Sequence, residues 1–564
     1  MALLCIMGVA LGAVVVRLAQ VQLVSAPQEA AYGRSEVLHT VSLPAERGSI
    51  LDRAGDALAI SVPATTIDAD PYQVKHPVAE AATLAPILNV PVSTLAAKLR
   101  AHAGFVYLAK QLAPATADKV QRLHLPGIYE LSDPKRMDPD GSLLSSLIGV
   151  VGTDGGGLNG LEYQYNGLLG GRPGKETLEE DPQGGPIPGG VTDQTPARTG
   201  QGLVLTIDDA LQYEALQDLS AQIVQTKAKG GTVIVSDPRN GDILAMASLQ
   251  ASPTGGPPVL TSQAGALTQV YEPGSVMKLP DLAGALTDGL IVPNDQVTVP
   301  DSLPVGGAVF HDDTYHATEQ LTPGQILSRS SNIGAIKVAE RLGKQRLYHW
   351  LQAFGFGKPT GLSYPGASAG LLRPPSRWSG TDIGAMPIGQ AEAATPLQVL
   401  DAYNTIANGG VFVPARLVQA TIDAGGTRHP AAPATPHRVV PEQVASELTT
   451  MLEGVVQSGD QGTAPAAAIP GYTVAGKTGT AQIPYPNRSG YQPGAYMATF
   501  VGFVPAQRPA LSILVNLDQP TTIYGGAAAA PVFAGLAEYA LHTLHIPSAG
   551  APPPGTAPSE ATVP

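Results

Sequence analysis

Cysteine is nearly absent from this chain: Cys5 is the only one in 564 residues. No internal disulfide can therefore form, and the fold has to be held by its core. The neighbours Leu3 and Leu4 do not fit the small-residue pattern that precedes a lipidated cysteine. Charge is also scarce. Lys, Arg, Asp and Glu together make 14 % of the sequence, with 33 basic against 46 acidic residues and a formal net charge of −13. With that balance and no Lys/Arg cluster, a surface that tracks a phosphate backbone is excluded. No internal repeat is visible, and the basic start of a secretory signal is missing.

What the chain does have is length, turns and one apolar run. Its 564 residues suffice for two to four domains, and 64 Gly with 52 Pro point to a loop-rich surface. Residues 2–16 are uninterrupted apolar sequence, about 22 Å of helix against a hydrocarbon core of ~30 Å. Continuing through Leu18, Ala19, Val21, Leu23 and Val24 reaches the needed length if Arg17 snorkels to an interface. A single membrane span over residues 1–24 is the expectation. A signal peptide cleaved near Val24-Ser25-Ala26 is the alternative, and the residues themselves do not fix the orientation.

Beyond the span, residues 25–195 mix short strand-like and helical runs. DPQGGPIPGGVTDQTPARTGQG, residues 181–202, holds ten Gly or Pro in 22 positions and reads as a linker. Residues 208–227 carry a helical pattern opened by Asp208 and Asp209, followed by a hairpin of 232–236 with 243–247. The middle is mostly helical. YTVAGKTGTAQ, ATFVGFVP and ALSILVNLD then give three β-rich runs, and a helix is expected over 528–544. Hairpin, helices and late strands together predict a mixed α/β class of the α+β kind, one antiparallel sheet with helices packed on it. The last residues, 547–564, are a Pro/Ala tail that cannot build a core.

One stretch of that middle carries unusual chemistry. In EPGSVMKLPDLAGAL, residues 272–286, Pro273 and Gly274 break what precedes them and an apolar helical spacing follows. Ser275 and Lys278 are three apart at its head, so they share a helix face and a hydroxyl lies beside an amine. Alone the pattern says little, since Ser132-Asp133-Pro134-Lys135 repeats it in a turn. Two further clusters complete an ordered set. Ser330-Ser331-Asn332 falls at a break in helical sequence 55 residues after Ser275, and Lys477-Thr478-Gly479-Thr480 falls in a strand-like run 147 residues after Ser330. An alcohol needs a base, and Lys278 can serve if neutral, a state favoured by burial and by the like charge of Lys477. Pro280, two residues past Lys278, predicts a kink just beyond the pair.

S-x-x-K, S-x-N and K-T-G in this order resemble the penicillin-binding proteins. YEPGSVMK, SRSSNIGA, FGFGKPTGL, PSRWSG, ATPLQ, IANGG and VAGKTGTAQ resemble their class B, monofunctional members. RGSILDRAGDALA (residues 47–59) and GLNGLEYQYNGLLGG (157–171) resemble that class's pedestal, and LLRPPSRWSGTDIGAMPIGQ leans toward the septal, FtsI-like type. The pedestal's usual R-x-Y-P-x-G reads Arg136-Met137-Asp138-Pro139-Asp140-Gly141, and a usual Gly-Gln-Gly reads Gly389-Gln390-Ala391; neither touches a catalytic side chain.

The resemblance implies a pedestal (dimerisation) domain over 25–195, a transpeptidase domain over 196–546, and a single-pass protein of the plasma membrane with its catalytic part outside. It implies Ser275 as nucleophile, Lys278 as base and Ser330 as proton relay. Asn332, Lys477, Thr478, Gly479 and Thr480 would hold the substrate, with the Ser275 and Thr480 N–H groups on the oxyanion. The reaction implied is cross-linking of peptidoglycan stem peptides, blocked when penicillin acylates Ser275, without metal or organic cofactor. An FtsW-type glycan polymerase and other divisome membrane proteins are the implied partners. An elongation-type enzyme and a non-catalytic division scaffold are the alternatives. Arg47 and Glu162 would brace the pedestal as a pair or stand as independent charges. HDDTYH, residues 311–316, reads as loop polar residues rather than metal ligands.

Overall fold

The computed structural model describes residues 1–25, 38–139, 141, 143–179, 187, 190, 192–458 and 462–548. The tail expected at 547–564 lies outside them from 549 on. At the N-terminus, Ala2–Gln22 is a 21-residue helix with none of its hydropathic window buried, long and apolar enough to cross a membrane.

The central sheet has six strands: β1 (Gly230–Asp237), β2 (Asp242–Gln250), β3 (Val259–Leu260), β4 (Ala475–Pro484), β5 (Tyr491–Val504) and β6 (Leu511–Asp518). Their order is β3-β2-β1-β6-β5-β4 and every pair is antiparallel, so β4 is an edge strand. The expected hairpin is β1–β2, longer at both ends. Both faces of the sheet are apolar because helices cover both. Val233, Val235, Ile513 and Val515 join the core under the helices Asp209–Thr226 and Ala530–Thr543. Ile234 and Leu514, one position out of phase, join the core on the other face. Each fully buried Val, Ile or Leu contributes roughly 1.5–3 kcal/mol, so two stacked cores replace the missing cross-links.

Asp208 caps its helix, accepting from the Leu211 N–H at 3.2 Å, as the acidic opening predicts. The linker reading needs correction. Thr192–Thr195 is a strand paired with Gly174–Glu179, which pairs in turn with Leu38–Leu43; these polar residues complete a ladder that composition alone does not reveal. Residues 181–186, 188, 189 and 191 of that stretch lie outside the described set. Gly202–Leu205 then runs parallel to Ile50–Leu51 and antiparallel to Val418–Ile422, so one sheet joins early and late parts of the chain. A separate three-stranded sheet, Thr65–Ala69 between Val106–Leu112 and Ile128–Ser132, carries its own small core with Leu84, Leu95 and Val120.

Where these early segments meet, Arg47 and Glu162 form a buried ion pair. Arg136 joins them, its Nε donating to Glu162 Oε1 at 2.8 Å and its Nη1 to the Gly48 carbonyl at 2.9 Å. Arg47 also donates to Asn166 Oδ1 at 2.8 Å. The Arg47–Glu162 brace is thus present, with a third member.

Candidate active site

Ser275 lies in a tight 3-10 turn, Gly274–Met277, that feeds directly into the helix α1 (Lys278–Thr287). The turn is pressed against two backbones. Gly274 has φ +67°, and a Cβ on Gly389 would fall 2.1 Å from the Gly274 carbonyl oxygen, so only glycine fits there. On the other side a Cβ on Gly479 would lie 2.8 Å from the Pro273 carbonyl. The small residues around Lys477 are what let β4 reach the Ser275 turn.

Pro280 does not kink the helix. It falls in the first turn of α1, where a missing N–H is tolerated. The carbonyl it leaves unserved, on Val276, accepts instead from the buried Tyr403 hydroxyl at 3.0 Å.

Ser330 follows the short helix Pro323–Ser328 in the left-handed region at φ +61°, an unfavourable conformation for a residue with a Cβ. Ser331 then caps the helix α2 (Asn332–Ala353), its Oγ accepting from the Gly334 N–H at 2.9 Å. Asp312 holds this turn, accepting from Ser331 Oγ at 2.7 Å and from the Ile333 N–H at 2.8 Å. The polar loop 311–316 therefore serves the S-x-N turn, and the Asn332 amide donates to its His311 carbonyl at 3.1 Å.

The three clusters converge. Lys278 Nζ is 2.9 Å from Ser275 Oγ, 3.2 Å from Ser330 Oγ and 2.9 Å from Asn332 Oδ1. Lys477 Nζ is 2.9 Å from the same Ser330 Oγ and also donates to Thr478, whose hydroxyl meets Thr463 Oγ1 at 3.0 Å. Thr480 Oγ1 accepts from the Gly525 N–H at 3.4 Å. The decoy Ser132 and Lys135 lie instead at the end of one pedestal strand and the start of another.

Both lysines are completely buried. Burial pushes Lys278 down to about 7, partly offset by the carboxylates of Asp312, Asp313 and Asp281. Burial pushes Lys477 well below the usual lysine range, and the positive charge of Lys278 adds to it. Lys477 thus sits beneath Ser330 rather than open to solvent. Three neighbours have no place in the motif reading: Asp312, whose signal is the HDDTYH cluster; Asp281, an acid inside an apolar run; and Tyr403, which has no local signal.

A hydroxyl with an amine at hydrogen-bond distance, and a second hydroxyl bridging that amine to another, is the working arrangement of a Ser–Lys acyl-transfer enzyme. The chain belongs to the penicillin-binding protein family. The penicillin binding protein transpeptidase domain matches residues 231–538 and the penicillin-binding protein dimerisation domain residues 42–205. It is 32 % identical to penicillin-binding protein PbpB of Mycolicibacterium smegmatis, over 96 % of this chain and 90 % of that one. It is also 32 % identical to the peptidoglycan D,D-transpeptidase FtsI of Escherichia coli, over 94 % and 89 %. The crystal structure of penicillin-binding protein 3 from Mycobacterium tuberculosis complexed with aztreonam superposes with a TM-score of 0.71 at 29 % identity, covering 91 % of this chain and 99 % of that one.

Proposed function

We propose that the chain is a septal peptidoglycan D,D-transpeptidase, held at the plasma membrane by its N-terminal helix with residues 196–546 as an extracytoplasmic catalytic domain on the pedestal 25–195. The observation that carries the reading is Lys278 Nζ poised between Ser275 Oγ and Ser330 Oγ. Neutral Lys278 takes the proton as Ser275 Oγ bonds the carbonyl carbon of a D-Ala-D-Ala stem, and the carbonyl π pair moves onto oxygen. N–H groups of Ser275 and Thr480 receive that charge. The carbon–nitrogen bond then breaks, and Ser330 passes the proton from Lys278 to the departing D-alanine nitrogen. The amine of a second stem attacks the acyl-enzyme in the reverse sense and completes the cross-link.

Asn332 orients the donor amide, and Thr478 and Thr480 on the edge strand take its terminal carboxylate. Lys477, locked on Ser330 and Thr478, supplies donors from below, and Gly479 lets the strand approach. β-Lactams enter the same site, in keeping with the aztreonam complex of the Mycobacterium tuberculosis relative. The septal role rests on the E. coli relative named FtsI, and an FtsW-type glycan polymerase is the partner such a role requires.

Labelling of the full-length protein with a fluorescent penicillin tests the reading. One stable label per chain, lost in Ser275→Ala, is the expected result. An unlabelled but folded wild type would make the chain a scaffold, and rapid β-lactam turnover would make it a β-lactamase. Co-purification with lateral-wall rather than septal synthesis proteins would overturn the septal part.

A further inference from the structure

The two threonines of the edge strand are served by groups that lie outside the three motifs. Thr478 and Thr480 are two apart on β4 and so share a face of the strand. Thr480 Oγ1 accepts from the Gly525 N–H at 3.4 Å. A backbone N–H can only donate, so the Thr480 hydroxyl keeps its own proton for another acceptor. Thr478 Oγ1 lies 3.0 Å from Thr463 Oγ1 and 3.3 Å from Lys477 Nζ. Thr463 belongs to the connection between the helix Glu442–Glu453 and β4.

Packing fixes that connection against the site. Ala464 is fully buried, and its N–H donates to the Val455 carbonyl at 2.9 Å. A Cβ on Gly526 would fall 2.0 Å from the Thr463 carbonyl oxygen, and one on Gly525 would fall 2.0 Å from the Thr499 carbonyl oxygen. The bare backbone of these two glycines therefore lies against both the connection and β5. Thr463 and the Gly525 N–H reach β4 from one packed junction.

Resting on the transpeptidase reading, we infer that Thr463 is a positioning residue for substrate recognition: its hydroxyl donates to Thr478 Oγ1 and so turns the Thr478 proton toward the terminal carboxylate of the stem peptide. A threonine hydroxyl has one proton and two lone pairs. With protons from Thr463 and Lys477 on its lone pairs, Thr478 has its own proton left for the substrate. The opposite arrangement, Thr478 donating to Thr463, sets lone pairs against an anion. The chain from Thr463 through Thr478 to the carboxylate gives every proton an acceptor, and its charged end makes the last link the strong one. Gly525 leaves Thr480 in the same donor state. Thr463 exchanges no proton with Ser275 or Lys278.

The test is penicillin acylation of detergent-solubilised full-length protein, resolved by saturation into an apparent dissociation constant and a limiting rate. Thr463→Val keeps the branched shape and removes the hydroxyl. It raises the apparent dissociation constant roughly 3- to 10-fold, the worth of one hydrogen bond, and leaves the limiting rate near wild type. Thr463→Ser, which keeps the hydroxyl, binds as wild type does. Toward the penicillin methyl ester, which lacks the charged carboxylate, wild type and Thr463→Val acylate at the same rate. Equal weakening toward acid and ester would mark a loop that only supports the fold and overturns the inference. So does a Thr463→Val that matches wild type toward the acid, or a Thr463→Ser that fails to restore binding. All of these outcomes leave wild-type labelling intact, whereas failure of the transpeptidase reading would abolish labelling in every variant.

Discussion

Lys477 Nζ lies 2.9 Å from the hydroxyl of Ser330, a residue 147 positions earlier in the chain. That contact joins the edge strand of the sheet to the loop between two helices. Through Ser330 it reaches Lys278 and then Ser275. The site is therefore a relay of four side chains drawn from three elements, with two amines sharing one hydroxyl.

The first expectation concerns Lys278. Burial holds it near 7, so acylation by penicillin should rise as pH climbs through about 7 and the amine loses its proton. Lys278→Arg should not rescue the rate, because a guanidinium keeps its proton. Lys278→Met should lower it by roughly 10²–10⁴-fold while the protein stays folded. Stability carries the same sign. The folded state releases the Lys278 proton at lower pH than the unfolded chain, so wild type gains stability relative to Lys278→Met as pH rises from about 7 toward 10. Melting curves across that range check it, and a flat difference would count against the assigned burial effect.

The second concerns the pedestal. Glu162 is sealed from solvent and takes both Arg47 and Arg136. Glu162→Ala would leave two guanidinium groups facing each other in a buried site, at a cost of about 3–5 kcal/mol. Thermal melting should show the loss, while the acylation rate of the fraction that remains folded stays near wild type. A variant with unchanged melting would show that water reaches the arginines.

Most of the architecture is legible in the sequence because it is local. The hairpin of β1 and β2, the three late strands and the capped helix Asp209–Thr226 each announce themselves by period or by a capping acid. The three motifs are legible too, since each lies on an element the chemistry needs. The linker reading fails at Thr192–Thr195 because a ladder is completed by partners elsewhere, which composition cannot see. The pairing of Arg136 with Glu162 and the role of Tyr403 escape notice for a related reason. Their contacts, to Glu162 and to the Val276 carbonyl, span 26 and 127 positions and leave no periodic trace. The kink expected at Pro280 fails because the proline's effect depends on where the helix begins.

That last point yields the third expectation. Val276 follows Ser275 directly, and its carbonyl takes a hydrogen bond from the Tyr403 hydroxyl where Pro280 has no N–H to offer. Tyr403→Phe keeps the ring in its buried place and removes only the donor, so it should cost about 1–3 kcal/mol and loosen the Ser275 turn. Pro280→Ala alone adds an N–H to a carbonyl already served and should change stability little. Combined, the two changes should be less damaging than their separate effects predict. The new backbone N–H at position 280 can then donate to the Val276 oxygen that loses its phenol partner. A double-variant cycle, read by melting and by the penicillin acylation rate, measures that coupling. Strict additivity would mean that Tyr403 stabilises the site by packing alone, and that its hydroxyl does not stand in for the proline's missing donor.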